Sequence, residues 1–317
     1  MHTNVLRYFL EIVRARSIRA AAENLHIAAS ALSRHVANLE HEFGVPLLER
    51  LPRGIRLTPA GEVFAAGAAQ TLRQVDRIRS EIDDLRDLKR GHVVIYAVEG
   101  VVADFLLPVL SQFGRNFPNV TYHIEVTGTE QVLHALRNDL GDIGIAFNPN
   151  PDPQIEVVYD AKHPVYAVVS RKHPLASKKV LTIQELAKET LGLPDLSFGV
   201  RRLLDQCAAK DGISIEPSLT INSIEMAKAY VRSGAGLSVL PAFAITRECS
   251  SGELVAVAIR DENLTHAVVS LCVQRSRVLS SAGQRLLVEV TAALKAFTAA
   301  NFSIERKKKP RQARARH

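Results

Sequence analysis

The sequence predicts an all-α N-terminal head carrying a small β wing, one long linker helix, and a C-terminal α/β domain of two subdomains. Three observations predict it. Residues 17–43 read as two short helices around a tight turn, residues 59–85 hold an apolar seam on an otherwise charged helix, and from Gly91 buried-strand runs alternate with helical patterns.

Ser17 is suited to cap a helix from Ile18 to about Leu25, because its side-chain oxygen can take a backbone N–H of the first turn. The run Ala20-Ala21-Ala22 keeps that helix smooth, so a second helix can approach closely. From about Ala29 to Phe43, Leu32, Val36, Leu39 and Phe43 recur at spacings of four, three and four, which marks one buried stripe. Ser30, Arg34, Ala37, Asn38 and His41 fall on the opposite face, with Ser33 at its margin. Short polar side chains and a guanidinium that can fork onto guanine or clamp a phosphate are what a helix needs to enter a DNA major groove. The residues that follow, Gly44 to Thr58, alternate apolar and basic positions around a Pro/Gly turn and predict a β-hairpin. Arg50, Arg53 and Arg56 sit on it, where they suit the phosphate backbone or the minor groove.

Thr58 can cap the next helix, and Pro59 fits its first position, where a missing N–H costs nothing. Val75, Ile78, Ile82 and Leu85 repeat at three, four and three, and Phe64, Ala68 and Leu72 extend the seam towards the N-terminus. A period near 3.5 on a charged helix serves helix pairing, or docking against the chain's own domain.

Beyond Gly91, residues 92–98 predict a buried strand, then a loop, then a helix to Phe117-Pro118. Residues 122–126, 129–138 and 142–147 predict strand, helix and strand. The alternation resumes with strands at 165–170, near Leu191, at 218–221 and 237–241, and helices after Thr182, at 201–210 and at 224–233. A strand at 267–273 and a helix from about Ser281 to Ala299 close it. Strand–helix alternation implies parallel β-α units whose ligands gather at strand carboxyl ends. Connections near 161–166 and 264–268 would join two subdomains into a clamshell.

Loops just after strands supply the ligand candidates. Glu99, Gly100, Val101 and Val102 follow the first strand, Thr127, Gly128 and Thr129 the second, and Phe147 and Asn148 the third. Phe198, Asn222 and Ser223 would approach from the second subdomain. Thr129 begins a helix, where free N–H groups favour a carboxylate, although a capping role is equally open. Glu99 makes this mouth less cationic than an organic anion would prefer, which leaves the ligand's charge open.

The N-terminal 90 residues resemble the winged helix-turn-helix of LysR-type transcriptional regulators. The match rests on Leu6-Arg7-Tyr8-Phe9, Ser17, Ala21-Ala22-Glu23, Leu25, Ala31-Leu32-Ser33-Arg34, Leu39-Glu40, Gly44-Val45-Pro46-Leu47, Glu49-Arg50 and Leu57-Thr58-Pro59-Ala60-Gly61. Ala28-Ala29-Ser30 departs from the family's usual Ser-Gln-Pro and loses an amide that could pair with a base. The rest resembles that family's effector-binding domain, itself similar to periplasmic solute-binding proteins, through Leu106-Leu107-Pro108, Phe117-Pro118, Leu140-Gly141-Asp142-Ile143, His173-Pro174-Leu175-Ala176, Gly234-Ala235-Gly236-Leu237 and Leu240-Pro241. The resemblance implies double-stranded promoter DNA and a small-molecule effector as partners, a homodimer through the linker helix, and a homotetramer built from two dimers. It divides the chain into a DNA-binding domain at 1–58, a linker at 59–90, an effector domain at 91–300 and a basic tail at 301–317. Within the effector domain, 91–163 with 267–300 form one subdomain and 164–266 the other.

Composition fits this reading. A chain of 317 residues with 47% hydrophobic content can give two or three units a core each. The net charge of +7 belongs to the tail: residues 306–317 hold seven of the 40 basic residues and no acid, leaving 33 basic against 33 acidic elsewhere. Such a run buries no core; it either attracts DNA without regard to sequence or only solubilises the chain. No apolar run is long enough to span a bilayer, and the expected location is cytoplasmic.

No enzymatic chemistry is indicated. Of His26, His35, His41 and Glu40, the adjacent Glu40 and His41 diverge on their helix and His35 and His41 point apart, so no metal site is expected, and no nucleophile elbow, phosphate loop or dinucleotide fingerprint occurs. Cys207, Cys249 and Cys272 form no Cys-x-x-Cys pair; Cys207 reads as a small core residue rather than a redox switch. No catalytic residue, metal or cofactor is expected. The rival reading is a solute-binding protein or enzyme whose helical N-terminus serves only assembly.

Overall fold

The structure, a computed structural model, describes residues 3–51, 54–85 and 90–297. Arg53 and the basic tail lie outside the described residues, as does the side chain of Arg50.

The head packs α1 (Thr3–Ala15), α2 (Ile18–Asn24) and α3 (Ala29–Phe43) around Phe9, Ile12, Leu32, Val36 and Leu39. Ser17 accepts the N–H of Ala20 at 3.3 Å, the predicted cap. Ala21 and Ala22 are buried between the helices, which explains the small residues there. Phe43 departs from expectation: it is 50% exposed, because α3 ends there against left-handed Gly44, and only its edge meets Phe64 at 5.3 Å. The wing is the hairpin β1 (Leu48–Leu51) and β2 (Gly54–Leu57), with Glu49 opposite Arg56. Thr58 then caps α4 (Pro59–Leu85) by accepting the N–H of Gly61 at 3.0 Å.

The C-terminal domain has two lobes. Lobe I holds a five-stranded sheet in the order β4 (Asn119–Val126), β3 (Arg90–Ala97), β5 (Ile143–Phe147), β13 (Val268–Gln274), β6 (Ile155–Lys162). Strands β4, β3 and β5 are parallel, whereas β13 runs antiparallel to both neighbours. The expected parallel β-α units are thus present in β4, β3 and β5, and β13 departs from them because it re-enters lobe I after the chain has crossed into lobe II and back. No loop follows β3. The chain passes directly into α5 (Glu99–Val101), a π-helical turn (Val102–Leu106) and α6 (Leu107–Asn116). The widened turn precedes Pro108, whose ring would clash with the Asp104 carbonyl in an ordinary α-turn. Helix α7 (Thr129–Arg137) links β4 to β5.

Lobe II is a four-stranded sheet in the order β11 (Ser238–Pro241), β7 (Val165–Ser170), β12 (Leu254–Ile259), β8 (Val180–Leu181), with α8 (Ile183–Leu186) following β8. A parallel pair, β9 (Gly192–Pro194) with β10 (Leu219–Ile221), extends it through a bridge from Leu191 to Leu237. Helices α9 (Gly199–Lys210), α10 (Ile224–Ser233), α11 (Thr246–Ser251) and α12 (Glu262–Thr265) cover the lobe. Strands β6, β8 and β12 are additions to the predicted series. The two crossings between lobes lie side by side, with the His163 N–H donating to the Ala267 carbonyl at 2.8 Å. Buried His163 marks this hinge; its Nε2 donates to the carbonyl of Phe297, just past α13 (Ser281–Ala296), at 2.7 Å. Helix α4 touches lobe I through Arg73, which donates to the Asn138 carbonyl at 3.2 Å.

Candidate functional site

Helix α3 buries Leu32, Val36 and Leu39 and turns Ser30, Arg34, Ala37, Asn38 and His41 to solvent, with Ser33 half-buried at the margin. One exposed face thus combines a guanidinium, an amide and hydroxyls on a rigid helix. The wing is fixed to that helix by Glu40, whose Oε1 accepts the N–H groups of Leu47 at 2.8 Å and Leu48 at 3.1 Å. Charge-assisted bonds of this kind hold the two amides at the entry to β1. The far strand is tied to the turn before α2, because the Ile55 N–H donates to the Arg16 carbonyl at 3.2 Å. That approach requires Gly54, at φ +113°, where a Cβ would come within 2.7 Å of the Arg16 oxygen. On the wing, Arg56 is engaged with Glu49 across the hairpin at 2.6 Å, so its charge is already paired on an exposed surface. The fastening role of Glu40 has no local signature, since its partners lie seven and eight residues further along the chain.

The second site lies between the lobes, at the carboxyl ends of β3, β4, β5, β10 and β11. Glu99, Gly100, Thr127, Gly128, Phe147 and Phe198 line this cleft, together with Val98, Gly199, Val200, Ile224, Pro241 and Phe243, around a narrow space. Ser223 reaches its edge by donating its hydroxyl to Glu99 Oε1 at 2.9 Å.

Four of the expected residues lie elsewhere, and a fifth is turned away. Val101 is wholly buried in the lobe core, because the helix begins at Glu99 and turns it inward; Val102 packs on the same core. Thr129 is 0% exposed, and its hydroxyl spans the backbone of Phe147, donating to the carbonyl at 3.0 Å and accepting from the N–H at 3.1 Å. It does not cap α7, and it is not among the residues lining the cleft. Asn148, in the left-handed region at φ +46°, lines a separate polar depression with Gln206, Lys210 and His266. Asn222 points to solvent just before α10.

The cleft is closed. Gly128 lies so near lobe II that a Cβ would come within 2.3 Å of the Ser197 oxygen, and one on Gly199 within 2.7 Å of the Phe147 oxygen. Arg202 of α9 pairs with Glu130 of α7 at 3.0 Å across the same seam. Cys207 is a buried thiol donating to Asp261 Oδ1 at 3.2 Å; burial and that neighbouring carboxylate push its pKa up to about 12, which opposes thiolate chemistry.

Residues 3–62 match the model of the bacterial regulatory helix-turn-helix protein, lysR family, and residues 86–295 match that of the LysR substrate binding domain. The chain is 25% identical to the HTH-type transcriptional activator CmpR of Synechocystis sp. over 280 residues, covering 88% of this chain and 91% of that one. Its fold is similar to a full-length cysteine-to-aspartate variant of OxyR from Pseudomonas aeruginosa, with a TM-score of 0.70 at 22% identity over 93% of this chain and 95% of that one. It is also similar to full-length CbnR complexed with target DNA, with a TM-score of 0.64 at 22% identity over 92% of this chain and 100% of that one. A DNA-binding helix-turn-helix head and an effector-binding domain thus share one polypeptide, and the chain belongs to the LysR family of transcriptional regulators.

Proposed function

We propose that the chain reads a two-part promoter site as a homodimer, and that a small molecule in the interlobe cleft adjusts that binding. The observation that carries the reading is the α3 face: Ser30, Arg34 and Asn38 stand exposed on a helix whose other side is locked into the head core. In this reading they face the major groove, with Ser33 beside them and Arg50, Arg53 and Arg56 of the wing near the backbone. Arg56 would first have to exchange Glu49 for a phosphate. CbnR, which shares the fold, is known in complex with its target DNA.

Pairing through α4 is favoured over docking along its whole length, because Ile78 and Ile82 of the seam are 50% and 46% exposed within one chain. Two paired helices would space two heads along DNA, and two such dimers would make a tetramer. The division of labour follows: 1–58 reads DNA, 59–90 pairs, 91–300 binds the effector. The cleft residues assigned to the effector are Glu99, Gly100, Thr127, Gly128, Phe147 and Phe198. Among the described residues no helix is long and apolar enough to cross a membrane, in keeping with work beside cytoplasmic DNA.

Footprinting on genomic fragments retained by the protein tests the reading. Two protected segments on one face of the duplex, separated by whole helical turns, are expected. Retention that ignores sequence at physiological salt would favour the rival in which the N-terminus serves only assembly.

A further inference from the structure

The cleft already contains an anion of its own. Helix α10 begins at Ile224, and its N-cap residue Ser223 makes no side-chain cap. Glu99 of the opposite lobe performs that role: the Ile224 N–H donates to both carboxylate oxygens at 3.1 Å, and the Ser223 hydroxyl adds a third bond at 2.9 Å. Free N–H groups at the start of a ten-residue helix favour negative charge, so this contact ties the lobes together with a carboxylate supplied by the chain. The close approaches at Gly128 and Gly199 belong to the same closed arrangement.

The space left beside Glu99 has the opposite character. Phe147, Phe198 and Phe243 form its walls with Val98, Val200 and Pro241, and Glu99 is the one charged residue among those lining it. An incoming organic anion would lose its water, meet a like charge and find no cation among the described lining residues. The walls stand close together around this space, so a guest has to be small.

We propose that Glu99 stands in for an effector anion at the α10 N-terminus, so that the cleft selects a small, uncharged, apolar ligand, aromatic by preference. This rests on the reading of the cleft as the effector site. Three phenyl rings offer an aromatic guest edge-to-face contacts that need no ion pairing.

The test uses benzamide and benzoate, two probes alike in size and different in charge, titrated by calorimetry into the full chain and into Glu99→Ala and Glu99→Gln. The wild type should bind benzamide about tenfold or more tightly than benzoate. In Glu99→Ala that preference should reverse, as benzoate places its carboxylate on the vacated Ser223 hydroxyl and Ile224 N–H. Glu99→Gln, which keeps the side chain's size, should discriminate less than the wild type, and circular dichroism melts of both variants establish that they are folded. Equal or tighter benzoate binding by the wild type overturns the proposal, as does a ratio unmoved by either folded variant or binding of neither probe by any of the three. Retention of DNA fragments by the same wild-type preparation is read separately: its loss would overturn the regulator reading, whereas probe failure with retained DNA overturns only the assignment of Glu99.

Discussion

Thr129 shows how one hydroxyl can be misread from sequence. A threonine after Gly128 and before a helix has the same local signature whether it caps the helix, meets a ligand or turns inward. Only the fold brings the backbone of Phe147, eighteen residues on, against it. Thr129→Val keeps the volume and removes both bonds, leaving the N–H and carbonyl of Phe147 without that partner in a buried place. The expected cost is about 1–3 kcal/mol in urea unfolding, with effector binding impaired no more than the loss of stability explains. Unchanged stability with lost effector response would return the hydroxyl to the cleft.

His163 supports a second prediction at this scale. Burial lowers its pKa from 6.5 to about 4, only partly opposed by the hydrogen bond to the Phe297 carbonyl. As pH falls below about 6.5 the unfolded chain takes up a proton that the folded hinge refuses until about pH 4. Stability is therefore complete above that window and declines through it, by about 3 kcal/mol at the acid end. Urea midpoints measured between pH 7 and 4 should show this decline, and His163→Phe, which cannot titrate, should flatten it while lowering stability at neutral pH.

Elements with one strong periodic face were legible. Helix α3 begins and ends where its four-three-four stripe and Gly44 place it, and Thr58-Pro59 marks the start of α4. Strand β6 was not: as a sheet edge it alternates imperfectly, and its exposed positions read as loop. The lobe contacts were illegible for a different reason. Glu99 and Ser223 are 124 residues apart, and no local pattern couples a carboxylate to a helix start that far along the chain. Linker helix α4 carries the prediction at this scale. Ile78→Asp with Ile82→Asp puts charge into the exposed seam, and sedimentation should show the proposed dimer of the wild type replaced by single chains that keep their helical content. A dimer unaffected by both changes would place the pairing surface elsewhere.

At the scale of the molecule, if α4 pairs two chains as proposed, a ligand's preference for one lobe arrangement would alter how two heads are presented to DNA. Arg73 of α4, bonded to the Asn138 carbonyl of lobe I, provides a physical contact between cleft domain and linker. All of this presupposes that α3 reads bases. Arg34 stands exposed on the face opposite Leu32, Val36 and Leu39, so removing its guanidinium should leave the core untouched. The direct measurement is a fluorescence anisotropy titration of wild type and Arg34→Ala against a retained promoter fragment and a scrambled one at the same salt. Arg34→Ala should lose about 1–3 kcal/mol on the promoter fragment with its thermal melt unchanged; equal affinity of the two proteins for that fragment would show that Arg34 does not read it.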